Sequence, residues 1–156
     1  MNRTTVKKMR TFLVALDGSR QSEKVLNAVV QLATEPDSRI IVLSVYRHCS
    51  NVDSAIIPST NSQQKRQEPY DITMRQQAHD TVRSAIDYLN DAGIQQVSGL
   101  VKRGGVTRTI LATAKKNEVD AIVIGSRGMG EIEGLLLGSV SHKVNSLAKC
   151  TCITIR

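Results

Sequence analysis

Directly after the apolar run Ala121–Ile124, the stretch GSRGMGEIEGLLLGSVS (Gly125–Ser141) holds five of the chain's ten glycines and no proline in seventeen residues. Glycine is costly in backbone entropy and adds no packing, so such a cluster marks backbone that takes φ > 0 or comes close to another group. Phosphate is the group most often met this way. The pattern G-x-x-x-x-G-K-[ST] is absent, because Gly138 is followed by Ser139 and no Gly-Lys pair occurs, and G-x-G-x-x-G is absent too. What stands there is Gly125-x2-Gly128, nine residues, then Gly138-Ser139. The first piece allows backbone amides to converge as an anion nest, and the second offers amides and a hydroxyl at a helix N-terminus. A helix dipole contributes about 0.3–1 kcal/mol per favourable charge, whereas micromolar binding needs about 8 kcal/mol. Several donors and a buried organic moiety are therefore required.

Asp17, in the Asp17-Gly18-Ser19 turn after the apolar run Thr11–Leu16, is the other residue of interest. Aspartate forms such turns through local hydrogen bonds, and it can also face a ligand. Arg127 reads equally as a solvated charge or a phosphate partner. His48, His79 and His142 have no companions at triad or metal-ligand spacing, so no catalytic or metal role is assigned to them.

These residues must be positioned by the elements around them. Apolar runs alternate with helically spaced segments from end to end, the pattern of a parallel sheet flanked by helices. Thr11–Leu16 does not alternate with polar residues and reads as a buried strand. With Ser19 as N-cap, a helix runs to about Ala33 on Val25, Leu26, Val29 and Val30. Pro36 and Asp37 stop it, and Arg39–Val45 (RIIVLSV) forms the second buried strand.

From Arg47 to about Thr73 the chain turns polar and aperiodic, with Pro58, Pro69 and the run STNSQQKRQE. This predicts a flexible excursion over 47–73, of a length usual for lids, with room for a short helical turn at Ala55–Ile57. Helical spacing resumes at Ala78, Val82, Ala85, Ile86 and Leu89 and ends at Gly93. Gln96–Lys102 is the third strand, and Gly104-Gly105 lead into a helix bearing Ile110, Leu111 and Ala114. Ala121–Ile124 is the fourth strand, Val140, Val144 and Leu147 mark a last helix face, and Cys152–Ile155 is the final strand.

The fold predicted is α/β: one doubly wound domain over 1–156, with a five-stranded parallel sheet and helices on both faces. Ligands of such sheets sit beyond the carboxyl ends of the strands, where the strand order reverses. The Asp17 turn and the glycine loop both lie at carboxyl ends.

Composition narrows the setting. With 40% hydrophobic and 22% charged residues over 156 positions, the chain can bury one sizeable core, about 68–70% of its unfolded surface. That core is aliphatic, since there are three Tyr, one Phe and no Trp. The net charge of +7 suits a small anionic ligand; against nucleic acid, the basic residues are scattered apart from Arg3, Lys7, Lys8 and Arg10, with no interleaved aromatics to stack on bases. The apolar run Phe12–Leu16 is too short for a signal h-region, and no apolar stretch reaches membrane-helix length. Cys49, Cys150 and Cys152 fit neither a CxxC pair nor a zinc spacing, which points to a reducing, cytoplasmic location. Cys150 and Cys152 share one strand face and read as small apolar packing.

The spacing G-x2-G-x9-G-[S/T] after an apolar strand resembles the nucleotide motif of the universal stress protein family, in its ATP-binding subgroup. It arises by chance in on the order of one per cent of chains this long. VALDGS with Ser22 and Glu23, the strand VLSV, Gly104–Leu111 and VDAIVIGSRG follow in the family's order, so the resemblance covers nearly the whole chain. It implies an adenine-nucleotide alpha-hydrolase-like fold that binds ATP or AMP, with or without Mg²⁺, across the carboxyl edge of the sheet. Asp17 would face ribose or adenine, beside the backbone of Ala15 and Leu16, while Val45 would offer its backbone to adenine. Gly125, Arg127, Gly128 and Met129 would line the ribose and first phosphates, and Gly138, Ser139 and Val140 would cradle the outer phosphates.

The resemblance further implies a homodimer through the C-terminal strand, acting as a stress-response sensor or regulator on a protein partner the sequence does not name, with at most slow ATP hydrolysis. Two positions depart from the family pattern, Val106 and Thr151 standing where proline is usual; both are expected to affect turns and edges more than the pocket. Two alternatives remain. One is a nucleotide hydrolase or transferase on a related α/β fold, disfavoured because SGGxDS and an activated nucleophile are missing. The other is an interaction dimer with a vestigial pocket.

Overall fold

A computed structural model describes residues 8–47, 68–128 and 138–156 of the chain. The apolar runs become the strands β1 (Thr11–Ala15), β2 (Arg39–Tyr46), β3 (Gln96–Arg103), β4 (Ala121–Gly125) and β5 (Thr151–Ile155). The amphipathic stretches become the helices α1 (Gln21–Leu32), α2 (Glu68–Asp91), α3 (Val106–Lys116) and α4 (Ser139–Leu147). The strands form one parallel sheet in the order β3-β2-β1-β4-β5, so the strand order reverses between β1 and β4.

The two-residue period of each strand divides the core in two. Phe12, Val14, Ile40, Val42, Ala121 and Val123 meet α1 and α2 through Val25, Val29, Val82 and Leu89. Leu13, Ile41, Leu43, Ile122 and Ile124 meet α3 and α4 through Ile110, Ala114 and Val144 on the other face. Because β1 and β4 are covered on both faces, Phe12, Leu13 and Val14 of the one and Ala121–Ile124 of the other are buried, and a large aliphatic side chain buried there contributes about 1.5–3 kcal/mol. The α/β class, the five parallel strands and the helices on both faces are as the sequence predicts.

Three local features differ from the sequence reading. The helical backbone of α2 begins at Glu68, so residues 68–73 belong to a helix; Pro69 is tolerated because the first turn needs no intrahelical donor at that point. The remainder of the predicted excursion, 48–67, with the turn at Ala55–Ile57, lies outside the described residues. Ser19 is not the N-cap of α1: its amide donates to Asp17 Oδ1 at 2.9 Å and its carbonyl accepts from the Ser22 amide, which leaves Arg20 at the helix boundary with no side-chain cap. Leu147, the last residue of α4, is 62% exposed, although it shares the spacing of Val144, which is buried, and of Val140, which is half-buried against the same core.

Candidate functional site

The carboxyl ends of the strands enclose a cleft of about 510 Å³ around the β1/β4 switch point. Its apolar floor follows from register: Ala15 stands beside Leu43 on β2 and Ile124 on β4, all on the α3/α4 face of the sheet. Val45 continues the floor along β2, while Val106 and Ile110 of α3 form one wall and Val25 of α1 another. Polar groups come from the turns: Asp17, Ser19, Gln21 and Ser22 after β1, Arg47 after β2, Arg127 after β4, and Ser139 and Ser141 at the start of α4.

The glycines make this geometry possible. Gly18, with φ +78°, lets the chain leave β1 sharply toward α1. A Cβ on Gly128 would lie 2.6 Å from Asp17 Oδ2, so the Asp17 carboxylate keeps its present position only with glycine there. Gly138 adopts an extended backbone before α4, and the first bond of that helix runs from the His142 amide to the Gly138 carbonyl. The amides of Ser139, Val140 and Ser141 thus precede the helical ladder at the cleft wall, at the positive end of the dipole. Ser139 is the first helical residue rather than its N-cap, and no side chain caps α4.

Ser126 joins the two glycine pieces. It is 2% exposed; its carbonyl accepts from the Gly138 amide (2.6 Å) and from Ser141 Oγ (2.9 Å), and its amide donates to Ile155 O of β5 (2.6 Å). Ser126 Oγ and the Arg127 amide both donate to Gln21 Oε1, at 3.4 and 3.3 Å. The Gly125–Gly128 piece is therefore not an open anion nest, because two of its amides already have acceptors within the protein. A strand-to-helix turn in a packed sheet satisfies its donors wherever neighbours can reach them.

Of the predicted site residues, Ala15, Leu16, Asp17 and Val45 line the cleft. So do Gly125, Arg127, Gly128, Gly138, Ser139 and Val140. Met129 lies outside the described residues. Val106 also lines the cleft, so the departure at that position touches the pocket as well as the turn, contrary to the sequence expectation. Gln21, Ser22, Leu43, Arg47, Ile110 and Ser141 line it too and were not singled out by sequence. For Leu43 and Ile110 the signal was available, as they share faces with Val45 and Val106; for Gln21 and Ser22 none was.

The cysteines stand apart from this site. Cys150 and Cys152 pack against the α3/α4 core, as the apolar reading expects. Burial pushes both thiols above their ordinary pKa, with the charge of Asp120 adding to the effect at Cys150 and the neighbouring Cys150 at Cys152. Among the described residues no cluster of three or more His, Cys, Asp or Glu side chains is placed to hold a metal ion, and no helix is long and apolar enough to cross a membrane.

Residues 8–156 match the sequence model of the Universal stress protein family. The chain belongs to this family. Universal stress protein YxiE of Bacillus subtilis is 32% identical over 149 residues, covering 92% of this chain and 97% of that protein. Among solved structures, universal stress protein UspA of Lactobacillus plantarum superposes with a TM-score of 0.82 at 20% identity, over 97% of this chain and all of that one. The universal stress protein of Archaeoglobus fulgidus, solved in complex with dAMP, superposes with a TM-score of 0.61 at 19% identity, covering 96% of this chain and 100% of its own. At these identities the structural likeness establishes a shared fold.

Proposed function

We propose that the chain binds an adenine nucleotide, ATP, ADP or AMP, in the switch-point cleft and acts as a homodimeric stress sensor or regulator in the cytoplasm, with at most slow ATP hydrolysis. The observation that carries this reading is the convergence of Asp17, the Gly125–Gly128 piece and the amides of Ser139–Ser141 on one cleft of about 510 Å³, within the range of small-molecule sites. The dAMP held by the Archaeoglobus fulgidus relative of the same fold supports adenine as the base.

The residues present fit such a ligand. The aliphatic floor of Ala15, Leu43, Val45 and Ile124 suits the faces of a base, with the backbone of Leu16 beside the ring and that of Val45 offered to its edge. Asp17, placed at the rim where Gly128 leaves room, suits ribose hydroxyls. Gly125, Arg127, Gly128 and Met129 are assigned to the ribose and first phosphates, and Gly138, Ser139 and Val140 to the outer phosphates. Ser22 Oγ, buried with no protein partner, adds a polar group at the same wall. Asp17 is the sole carboxylate in the described lining, so Mg²⁺ would be held largely by the phosphates. A cleft with one carboxylate, itself bonded to the Ser19 amide, favours holding over hydrolysis.

The strand β5, half-buried and with one edge unpaired among the described residues, suits pairing with a second copy. Titration calorimetry with ATP, ADP, AMP and adenosine, with sedimentation analysis of the same sample, tests both parts. Micromolar binding by a dimer is expected. No heat at millimolar nucleotide overturns the binding reading, and a monomer at working concentration overturns the dimer.

A further inference from the structure

Gln21, the first residue of α1, lies on the wall of the cleft with its carboxamide oxygen over the Gly125–Arg127 turn. Its Oε1 takes the Arg127 amide at 3.3 Å and the Ser126 hydroxyl at 3.4 Å. Both contacts are long against the usual 2.9–3.0 Å for N–H···O and 2.7–2.8 Å for O–H···O, so a neutral carbonyl meets these two donors weakly. A phosphate oxygen is the better acceptor, because charge-assisted hydrogen bonds are shorter and about twice as strong. Gly125 leaves the space in which this exchange can occur, since a Cβ there would stand 3.0 Å from Gln21 Oε1. The glutamine side chain, free to turn about three torsions and half-buried at a helix start, can leave without disturbing the core.

We propose that Gln21 is a specificity-determining residue: its carboxamide oxygen holds the Arg127 amide and the Ser126 hydroxyl in place of a ligand oxygen and yields them only to an anionic phosphate. The cleft then discriminates between phosphorylated and unphosphorylated ligands at this turn, in addition to the α4 N-terminus. Neutral nucleosides bring no acceptor able to displace the carbonyl, and so do not benefit from these donors. This rests on the anion-binding part of the proposed function and is independent of the base.

The test is titration calorimetry of the full chain and of Gln21→Ala, Gln21→Asn and Gln21→Glu with three probes: tripolyphosphate, ATP and adenosine. Gln21→Ala and Gln21→Asn, which withdraw the competing oxygen, should tighten tripolyphosphate and ATP three- to tenfold and leave adenosine within twofold. Gln21→Glu, which places a charge at the same point, should weaken tripolyphosphate and ATP at least tenfold with adenosine again unchanged. Weaker or unchanged tripolyphosphate binding in Gln21→Ala and Gln21→Asn, or its absence in all four proteins, overturns the proposal and leaves Gln21 a strut between α1 and β4. A tripolyphosphate response without adenosine or ATP binding would sink the adenine reading and retain this one; ATP binding indifferent to Gln21 would do the reverse.

Discussion

Gly128 and Asp17 are in such close approach that a methyl group on the glycine would lie 2.6 Å from Asp17 Oδ2 and 3.7 Å from its Cγ. The atom in the way is the end of a side chain at the rim of the cleft, so Gly128→Val displaces Asp17 without touching the core. The variant should keep the wild-type fold within about 1 kcal/mol, the scale of one lost surface hydrogen bond. Nucleotide affinity should fall at least tenfold, read by calorimetry; an unchanged affinity would remove Gly128 from the site.

Asp17 combines a turn-forming bond with its proposed ligand role, and the two separate by substitution. Oδ1 accepts from the Ser19 amide at 2.9 Å, a bond that asparagine retains and alanine loses. Asp17→Ala should cost about 1 kcal/mol in urea unfolding, whereas Asp17→Asn should cost less than half of that. If both weaken nucleotide binding alike while differing in stability, the carboxylate charge serves the ligand and the carbonyl serves the turn.

Val106 opens α3 after Gly105, whose backbone at φ −71°, ψ 121° is the extended conformation required before a proline. The amide of a first helical residue has no intrahelical acceptor, so proline there loses nothing from the ladder. Val106→Pro should raise stability by about 0.4–1 kcal/mol through the unfolded state, measured by chemical denaturation. Because Val106 lines the cleft, a change in nucleotide affinity of a few-fold should accompany it.

Burial raises the pKa of Cys150 and Cys152 above the ordinary thiol value of 9.0, which depletes the thiolate at neutral pH. In a Cys49→Ser background, iodoacetamide should modify both more slowly than a free thiol at pH 8, with rates still climbing above pH 9. The folded chain then binds these protons more tightly than the unfolded one. The stabilisation is complete below the unfolded pKa and is lost as pH rises through the folded values, so stability should decline above about pH 9. Alkylation at the rate of a free cysteine at pH 8 would contradict this.

The strands were legible because a buried parallel strand needs an uninterrupted aliphatic run, and Thr11–Leu16, Arg39–Val45 and Ala121–Ile124 supply one. Helix boundaries were less so. Ser19 looks like an N-cap in one dimension, yet its backbone is drawn into the Asp17 turn, its amide donating to Asp17 Oδ1 and its carbonyl accepting from the Ser22 amide, so the helix boundary falls at Arg20. Leu147 fits a helical stripe by spacing, but whether a stripe is covered depends on how far the neighbouring elements extend.

The glycine spacing, Asp17 and the alternation of apolar runs were enough to establish the α/β architecture, family membership and the end of the sheet on which the loops converge, because local backbone demands and the two-residue and 3.6-residue periods are written residue by residue. Only the tertiary structure decided which donors are already taken. Gln21 and Ser126 lie 105 positions apart in sequence, and the hydrogen bond between them arises from the reversal of strand order that sets β1 beside β4. Satisfaction of a polar group is a property of what packs against it, so it is settled only when distant elements meet.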